Sequence, residues 1–73
     1  MKVGDIVMYT NTKKYPMFYG QIGMIENYTE KGSDGQAHCR VRWLQSVRYH
    51  TGYTTVSDFP VKYFSIINKD KND

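Results

Sequence analysis

Cysteine is nearly absent. The 73-residue chain holds one, Cys39, so it can form no intramolecular disulfide, and a cysteine-based zinc site would lack ligands. A reducing compartment suits such a chain. Proline is also scarce, with Pro16 and Pro60 alone. Long apolar runs are missing too. The opening MKVGDIVMYT has no stretch long enough for a signal peptide or a membrane span. A cytoplasmic location without a membrane span is therefore expected, and the acceptor-like tripeptide Asn27-Tyr28-Thr29 is expected to stay unmodified. Helical periodicity over three turns occurs nowhere. The carboxylates Asp5, Glu26, Glu30, Asp34 and Asp58 show no pairing pattern for acid–base work. His38 and His50 lack partners at metal-ligand spacing. Gly20-x-x-Gly23 is too short for a phosphate-binding loop. No catalytic set, metal or cofactor is expected, and the chain reads as something other than an enzyme.

Aromatic residues are abundant at 15%: seven tyrosines, three phenylalanines and Trp43. A domain this small buries only about 60–65% of the surface its unfolded chain exposes. A few large rings can fill such a core, and several tyrosines are left for the surface. The length allows one domain. It is expected to run over 1–67, followed by a polar tail at 68–73. Net charge is +3, with ten Lys and Arg against seven Asp and Glu. That mild excess permits an acidic or polyanionic partner without demanding one, and a monomer is expected.

Glycines cut the chain into short pieces rich in Val, Ile, Tyr, Thr and Phe, the residues that favour strands. Asp5 to Tyr9 reads as a first strand. Thr10 to Phe18 reads as a long loop whose aromatic end, Tyr15 to Tyr19, folds back on the body. Gln21 to Tyr28 reads as a second strand, and its broken alternation predicts a bulge or bend near Gly23. Lys31-Gly32-Ser33-Asp34-Gly35 is a turn. Ala37 to Leu44 is the clearest strand, with Ala37, Cys39, Val41 and Trp43 on one face and His38, Arg40 and Arg42 on the other. Arg48 to Val56 follows as a fourth strand, or as a strand and loop. Phe59 to Tyr63 reads as one tight helical turn, and Phe64 to Ile67 closes the chain as a last strand. The expected fold is all-β, a five-stranded SH3-like barrel with a short helical turn before the last strand. Its expected core is Val3 or Ile6, Val7, Phe18, Ile22, Ile25, Cys39, Val41, Trp43, Val56, Phe59, Tyr63 and Ile66.

The frame resembles known families. Lys2-Val3-Gly4-Asp5-Ile6-Val7, then Gly20-Gln21-Ile22-Gly23-Met24-Ile25, then Val41-Arg42-Trp43 and Phe59-Pro60-x-x-Tyr63-Phe64-x-Ile66-Ile67 looks like KOW and related SH3-like domains. Many small phage and bacterial proteins carry the same frame. Tyr19 to Ile25, Val41-Arg42-Trp43, Tyr49 with Gly52, and Asp58-Phe59 are similar in order and spacing to photosystem I subunit IV, a barrel that helps dock an acidic electron carrier. The first resemblance implies nucleic-acid binding, and the second implies an accessory subunit.

Read from the residues themselves, the best candidate site is the basic face of the third strand. His38, Arg40 and Arg42 project together, and Arg48, Tyr49 and Tyr53 follow. Arginine beside exposed rings suits phosphate contact with base stacking. It equally suits an acidic protein surface, and a solvated strand face looks the same. The leading expectation is a non-catalytic binding or adaptor module docking a protein through this face, with KOW-type nucleic-acid binding as the alternative. The run Tyr15 to Tyr19 could line an aromatic groove for proline-rich peptides, although Lys13 and Lys14 replace the acidic residues that such ligands use. Cys39, on the apolar face, reads as a buried structural thiol.

Overall fold

Five strands follow one another: β1 (Ile6–Tyr9), β2 (Ile22–Thr29), β3 (His38–Tyr49), β4 (Gly52–Pro60) and β5 (Phe64–Ile66). They pair antiparallel in one sheet of order β4-β3-β2-β1-β5. The computed structural model describes residues 1–67, and the expected polar tail at 68–73 lies outside them. The helical turn before the last strand is present as a 3-10 helix over Val61–Tyr63, and a second one spans Pro16–Phe18. The all-β architecture is therefore as read from the sequence.

Barrel closure is not. β4 and β5 end the strand order, and no ladder joins them among the described residues. After Pro60 the chain turns along the start of β3, where the Val61 N–H donates to the Ala37 carbonyl at 3.0 Å. The N–H of Thr10, just past β1, then donates to the Tyr63 carbonyl at 2.8 Å. β5 is only three residues long and pairs with β1 alone. The two end strands meet through side chains, with the Phe59 and Phe64 ring centroids 6.1 Å apart.

One face of the sheet carries the core: Val7, Tyr9, Phe18, Ile25, Cys39, Val41, Trp43, Val47, Phe59 and Phe64. The aromatic end of the long first loop folds back as expected, placing Phe18 against Trp43 at a centroid distance of 5.2 Å in a stacked arrangement. Several expected core residues are corrected. Val3 is 58% exposed. Ile6 and Ile22 point to the outer face opposite Met24 and Met8, and both are half-buried. Val56, Tyr63 and Ile66 are also half-buried. Tyr9, Val47 and Phe64 take the interior positions instead.

Two irregularities set the shape. The bulge expected at Gly23 lies at Glu26, because the β2–β3 register shifts between Ile25 and Asn27. One extra residue there moves the inward face from Gly23 and Ile25 to Tyr28. Between β3 and β4 the register shifts from Arg42↔Val56 to Val47↔Thr54. This leaves Leu44, Gln45 and Ser46 exposed, yet β3 resumes and runs twelve residues to Tyr49. The strand expected to begin at Arg48 is thus the end of β3, and β4 starts at Gly52.

Tyr9 is the hub of the interior. Its ring lies 5.2 Å from Phe59, 5.4 Å from Phe64, 5.8 Å from Tyr63 and 5.9 Å from Phe18, centroid to centroid. Its hydroxyl donates to the Lys14 carbonyl and so ties the first loop to the core. Burial, with smaller contributions from Tyr63 and Tyr15, pushes its pKa up to about 12 from 10.0. In the unfolded chain the phenol ionises near its ordinary value, so folding binds the proton more tightly. That contribution is intact below pH about 10 and is lost as pH rises towards about 12. Alkaline unfolding is therefore expected to begin in this window. In Tyr9→Phe, urea midpoints should be lower at pH 7 and should fall less steeply between those two pH values. An unaltered slope would show that Tyr9 is not the group responsible.

Candidate functional site

Alternation along β3 turns His38, Arg40 and Arg42 outward, as expected, while Cys39, Val41 and Trp43 go inward. Register for the two arginines, and the β2–β3 turn for His38, then set each outward residue beside a carboxylate. Arg40 faces Asp58 across the β3–β4 ladder. Its Nε donates to Oδ1 at 3.0 Å and its Nη2 to Oδ2 at 3.2 Å. The Nε of Arg42 donates to the Glu26 carboxylate, which the β2 bulge brings alongside. The His38 Nε2 lies 3.0 and 3.1 Å from the two carboxylate oxygens of Asp34, in the β2–β3 turn. Asp34 also accepts from the Gln36 N–H at 3.0 Å. That backbone bond, followed by the His38 contact, lowers the Asp34 pKa below its ordinary value. The outer face is thus an interleaved lattice of cations and anions. Both members of the Arg40–Asp58 pair are more than half exposed, so the pairing orients guanidinium groups more than it stabilises the fold.

The expected site divides at the hairpin. Arg48 stays on the outer face and pairs across the ladder with Tyr53, which is 70% exposed. Cross-strand neighbours on one face sit about 4.5–5.5 Å apart at Cβ, so the two side chains leave the sheet from adjacent positions. Among the described residues Arg48 has no acidic partner. Tyr49 leaves this set. Its ring goes to the other face, 5.6 Å from Phe18, 6.5 Å from Tyr15 and 4.1 Å from His50. The structure therefore groups His38, Arg40 and Arg42 at the start of β3, sets Arg48 beside Tyr53 at its far end, and turns Tyr49 to the other face.

A cleft of about 300 Å³ opens beside the paired residues, lined by Asn27, Thr29, His38, Arg40 and Asp58 among others. Its charged lining residues, Arg40 and Asp58, are already paired with each other. Cys39 reaches it from the buried side. Burial, then the nearby Asp58, raises the Cys39 thiol to about 11 from 9.0, so at neutral pH it is a thiol and a poor nucleophile. The two histidines stand at opposite ends of β3 or just beyond it and cannot share a metal ion. Sequence reasoning missed Asp58, Glu26 and Asp34 as members of the face, since each is tied to its cation by register or turn geometry. No helix is long and apolar enough to cross a membrane among the described residues. In comparisons with protein-family models, curated proteins and solved structures, nothing matches this chain.

Proposed function

We propose that this chain is a non-catalytic binding module of the SH3-like kind, working in the cytoplasm as a monomer, which docks an acidic protein surface through the outer face of β3 and the β3–β4 hairpin. The observation that carries this reading is the charge pattern of that face. Fixed carboxylates of Asp34, Glu26 and Asp58 alternate with His38, Arg42 and Arg40, while Arg48, beside Tyr53 in the ladder, has no carboxylate partner among the described residues. A continuous row of phosphates would meet those carboxylates and be repelled. A protein surface of mixed charge can match the lattice and place a carboxylate on Arg48. Strand order supports the SH3-like part, as do the 3-10 turn before β5 and the shared core contacts of β4 and β5. An acidic electron carrier is one instance of such a partner.

The reading is tested by following amide signals while titrating the chain with a polyglutamate peptide, and separately with oligothymidylate and oligouridylate, at low and moderate salt. Shifts centred on Arg48 and Tyr53 with polyglutamate alone are expected, fading as salt rises. Arg48→Glu should weaken the effect about tenfold, equivalent to about 1.4 kcal/mol. Stronger binding to either oligonucleotide, with a salt slope of several phosphates, would replace this reading with nucleic-acid recognition of the KOW type.

A further inference from the structure

β4 ends the sheet, and among the described residues no strand pairs with its outer edge. Nine residues, Gly52–Pro60, form an edge of main-chain N–H and C=O groups, one of which, the Val56 carbonyl, already accepts from the Thr54 hydroxyl at 2.8 Å. Natural edges of this length are usually guarded by lysine, by proline or by a bulge. In β4 the stretch Tyr53-Thr54-Thr55-Val56-Ser57 contains neither lysine nor proline, the register irregularity opposite Thr54 to Val56 has its extra residues on β3, and Asp58 and Pro60 stand only at the far end. Tyr, Thr and Val are also the residues that favour continued strand pairing.

A second feature lies along the same edge. A cleft of about 300 Å³ is lined by Tyr15, Phe18 and Tyr49 on one side and by Thr54, Ser57 and Phe59 of β4 on the other. Tyr15 and His50 are the only described non-glycine residues with positive φ, at 50° and 57°. Both are left-handed conformations that bulky residues rarely adopt. Both rings lie near Tyr49, at 6.5 and 4.1 Å between centroids. His50 takes its positive φ in the two-residue β3–β4 turn and Tyr15 takes its own as the cap of the Pro16–Phe18 helix, so the turn and the first loop together wall the cleft beside the strand edge.

Charge indicates what fills it. Lys13 and Lys14 precede Tyr15, and neither has an acidic partner among the described residues. Their backbone N–H groups both donate to the Asn11 side-chain oxygen, at 2.9 and 2.7 Å, which fixes the loop that presents them. Asp58, the charged residue that lines the groove itself, is already held by Arg40.

The geometry points to a groove that takes an extended, acidic segment of a partner protein as an added strand on β4, with an apolar side chain of that segment seated between Tyr15 and Tyr49. Main-chain hydrogen bonds supply affinity in this mode, and the pocket for alternate side chains supplies selectivity. The inference rests on the reading of the chain as a protein-docking module, but it uses a different surface from the Arg48–Tyr53 face. A second copy fits this groove less well, because the chain is itself basic at +3.

The test uses the full chain, isotope-labelled, and a short peptide alternating glutamate with phenylalanine and valine. A matched peptide is N-methylated at every second residue and cannot form the edge hydrogen bonds. The unmodified peptide is expected to shift the amides of Thr54 to Ser57 and of Tyr15, and to slow hydrogen exchange along β4. The N-methylated peptide should bind at least about tenfold more weakly. Tyr15→Ala should weaken binding by a similar factor while Tyr15→Phe retains it, and an unchanged amide spectrum elsewhere shows that both variants fold. Equal binding of the two peptides overturns the proposal, as does the absence of any shift. Shifts confined to Arg48 and Tyr53 overturn it too, leaving the outer-face reading to stand on its polyglutamate result. A concentration-dependent dimer that protects the same β4 amides without peptide would assign the edge to a second copy. The same shifts with oligothymidylate would assign it to nucleic acid.

Discussion

Trp43→Ala is expected to cost about 3–5 kcal/mol, the largest effect of any single substitution in this chain. Trp43 is 4% exposed, and it joins three parts of the core at once. Its ring stacks on Phe18 from the first loop at 5.2 Å and tilts against Phe64 of β5 at 6.1 Å. Its indole N–H donates to the Ser57 hydroxyl of β4 at 3.0 Å. Truncation leaves a cavity that strand backbones cannot collapse, along with a half-buried hydroxyl missing its donor. A domain of this length has about 4–11 kcal/mol of total stability, and each kcal/mol lowers Tm by about 4–8 °C. The variant should therefore melt on the order of 20 °C lower, or fail to fold at 25 °C. Trp43→Phe keeps the stack on Phe18 and loses only the hydrogen bond and part of the volume, so its loss should be under half as large. Circular dichroism melts of the two variants check this, and equal Tm values for Trp43→Ala and the parent chain would remove Trp43 from the core.

The strands were readable wherever side chains alternate cleanly. Ala37 to Trp43 shows period two, and β3 follows it with Cys39, Val41 and Trp43 inside. Reading stopped at Leu44 because three residues, Leu44 to Ser46, face solvent before Val47 returns to the core. A bulge breaks the period without ending the strand, and single-chain periodicity cannot tell these apart. Tyr9 shares the parity of Val7 and so was within reach. The excess of tyrosine suggested surface positions, whereas a core this small uses one tyrosine as its centre and satisfies the hydroxyl on the Lys14 carbonyl. Tyr63, expected inside, is half-buried, and Phe64 takes the interior position instead. In the fold the 3-10 turn resets the parity.

The candidate face was legible as a row of cations and illegible as a lattice. Parity alone puts His38, Arg40 and Arg42 on one side. Which carboxylate meets which cation depends on register. Arg40 and Asp58 are eighteen positions apart, and Arg42 and Glu26 sixteen apart. The second pair exists only because the β2 bulge lies at Glu26. Local patterning cannot supply either fact. The consequence is functional. A face read from sequence as net basic is close to charge-balanced over most of its length, and its unpaired cation is displaced to the hairpin.

Gly23→Ala is expected to be the second most damaging change, although the substitution adds a single methyl group. Gly23 has an ordinary φ, so alanine meets no backbone strain there; the obstacle is space. A Cβ at this position would fall on the Val41 Cγ1 and within 2.7 Å of the Arg42 carbonyl oxygen. Val41 is fully buried and has no free volume to turn into, and the carbonyl belongs to the β3 backbone. Gly23 also sits between two partners, Val7 on β1 and Trp43 on β3, so relief requires β2 and β3 to move apart at the centre of the sheet. Overpacking of this kind costs about 1–3 kcal/mol and more where backbone blocks relaxation. Gly52→Ala is the control. Nothing lies within 4 Å of a Cβ there and its φ is not positive, so it should leave Tm unchanged or raise it slightly through the lower entropy of the unfolded chain. A double-mutant cycle separates the two obstacles. Val41→Ala removes Cγ1, so in that background Gly23→Ala should cost less than alone, with a coupling of about 0.5–3 kcal/mol. The Arg42 carbonyl remains in place, so part of the penalty should persist. Full additivity in urea melts would mean that side-chain crowding at Val41 plays no part. A Gly23→Ala variant as stable as Gly52→Ala would mean that β2 and β3 do not approach as closely as the structure places them.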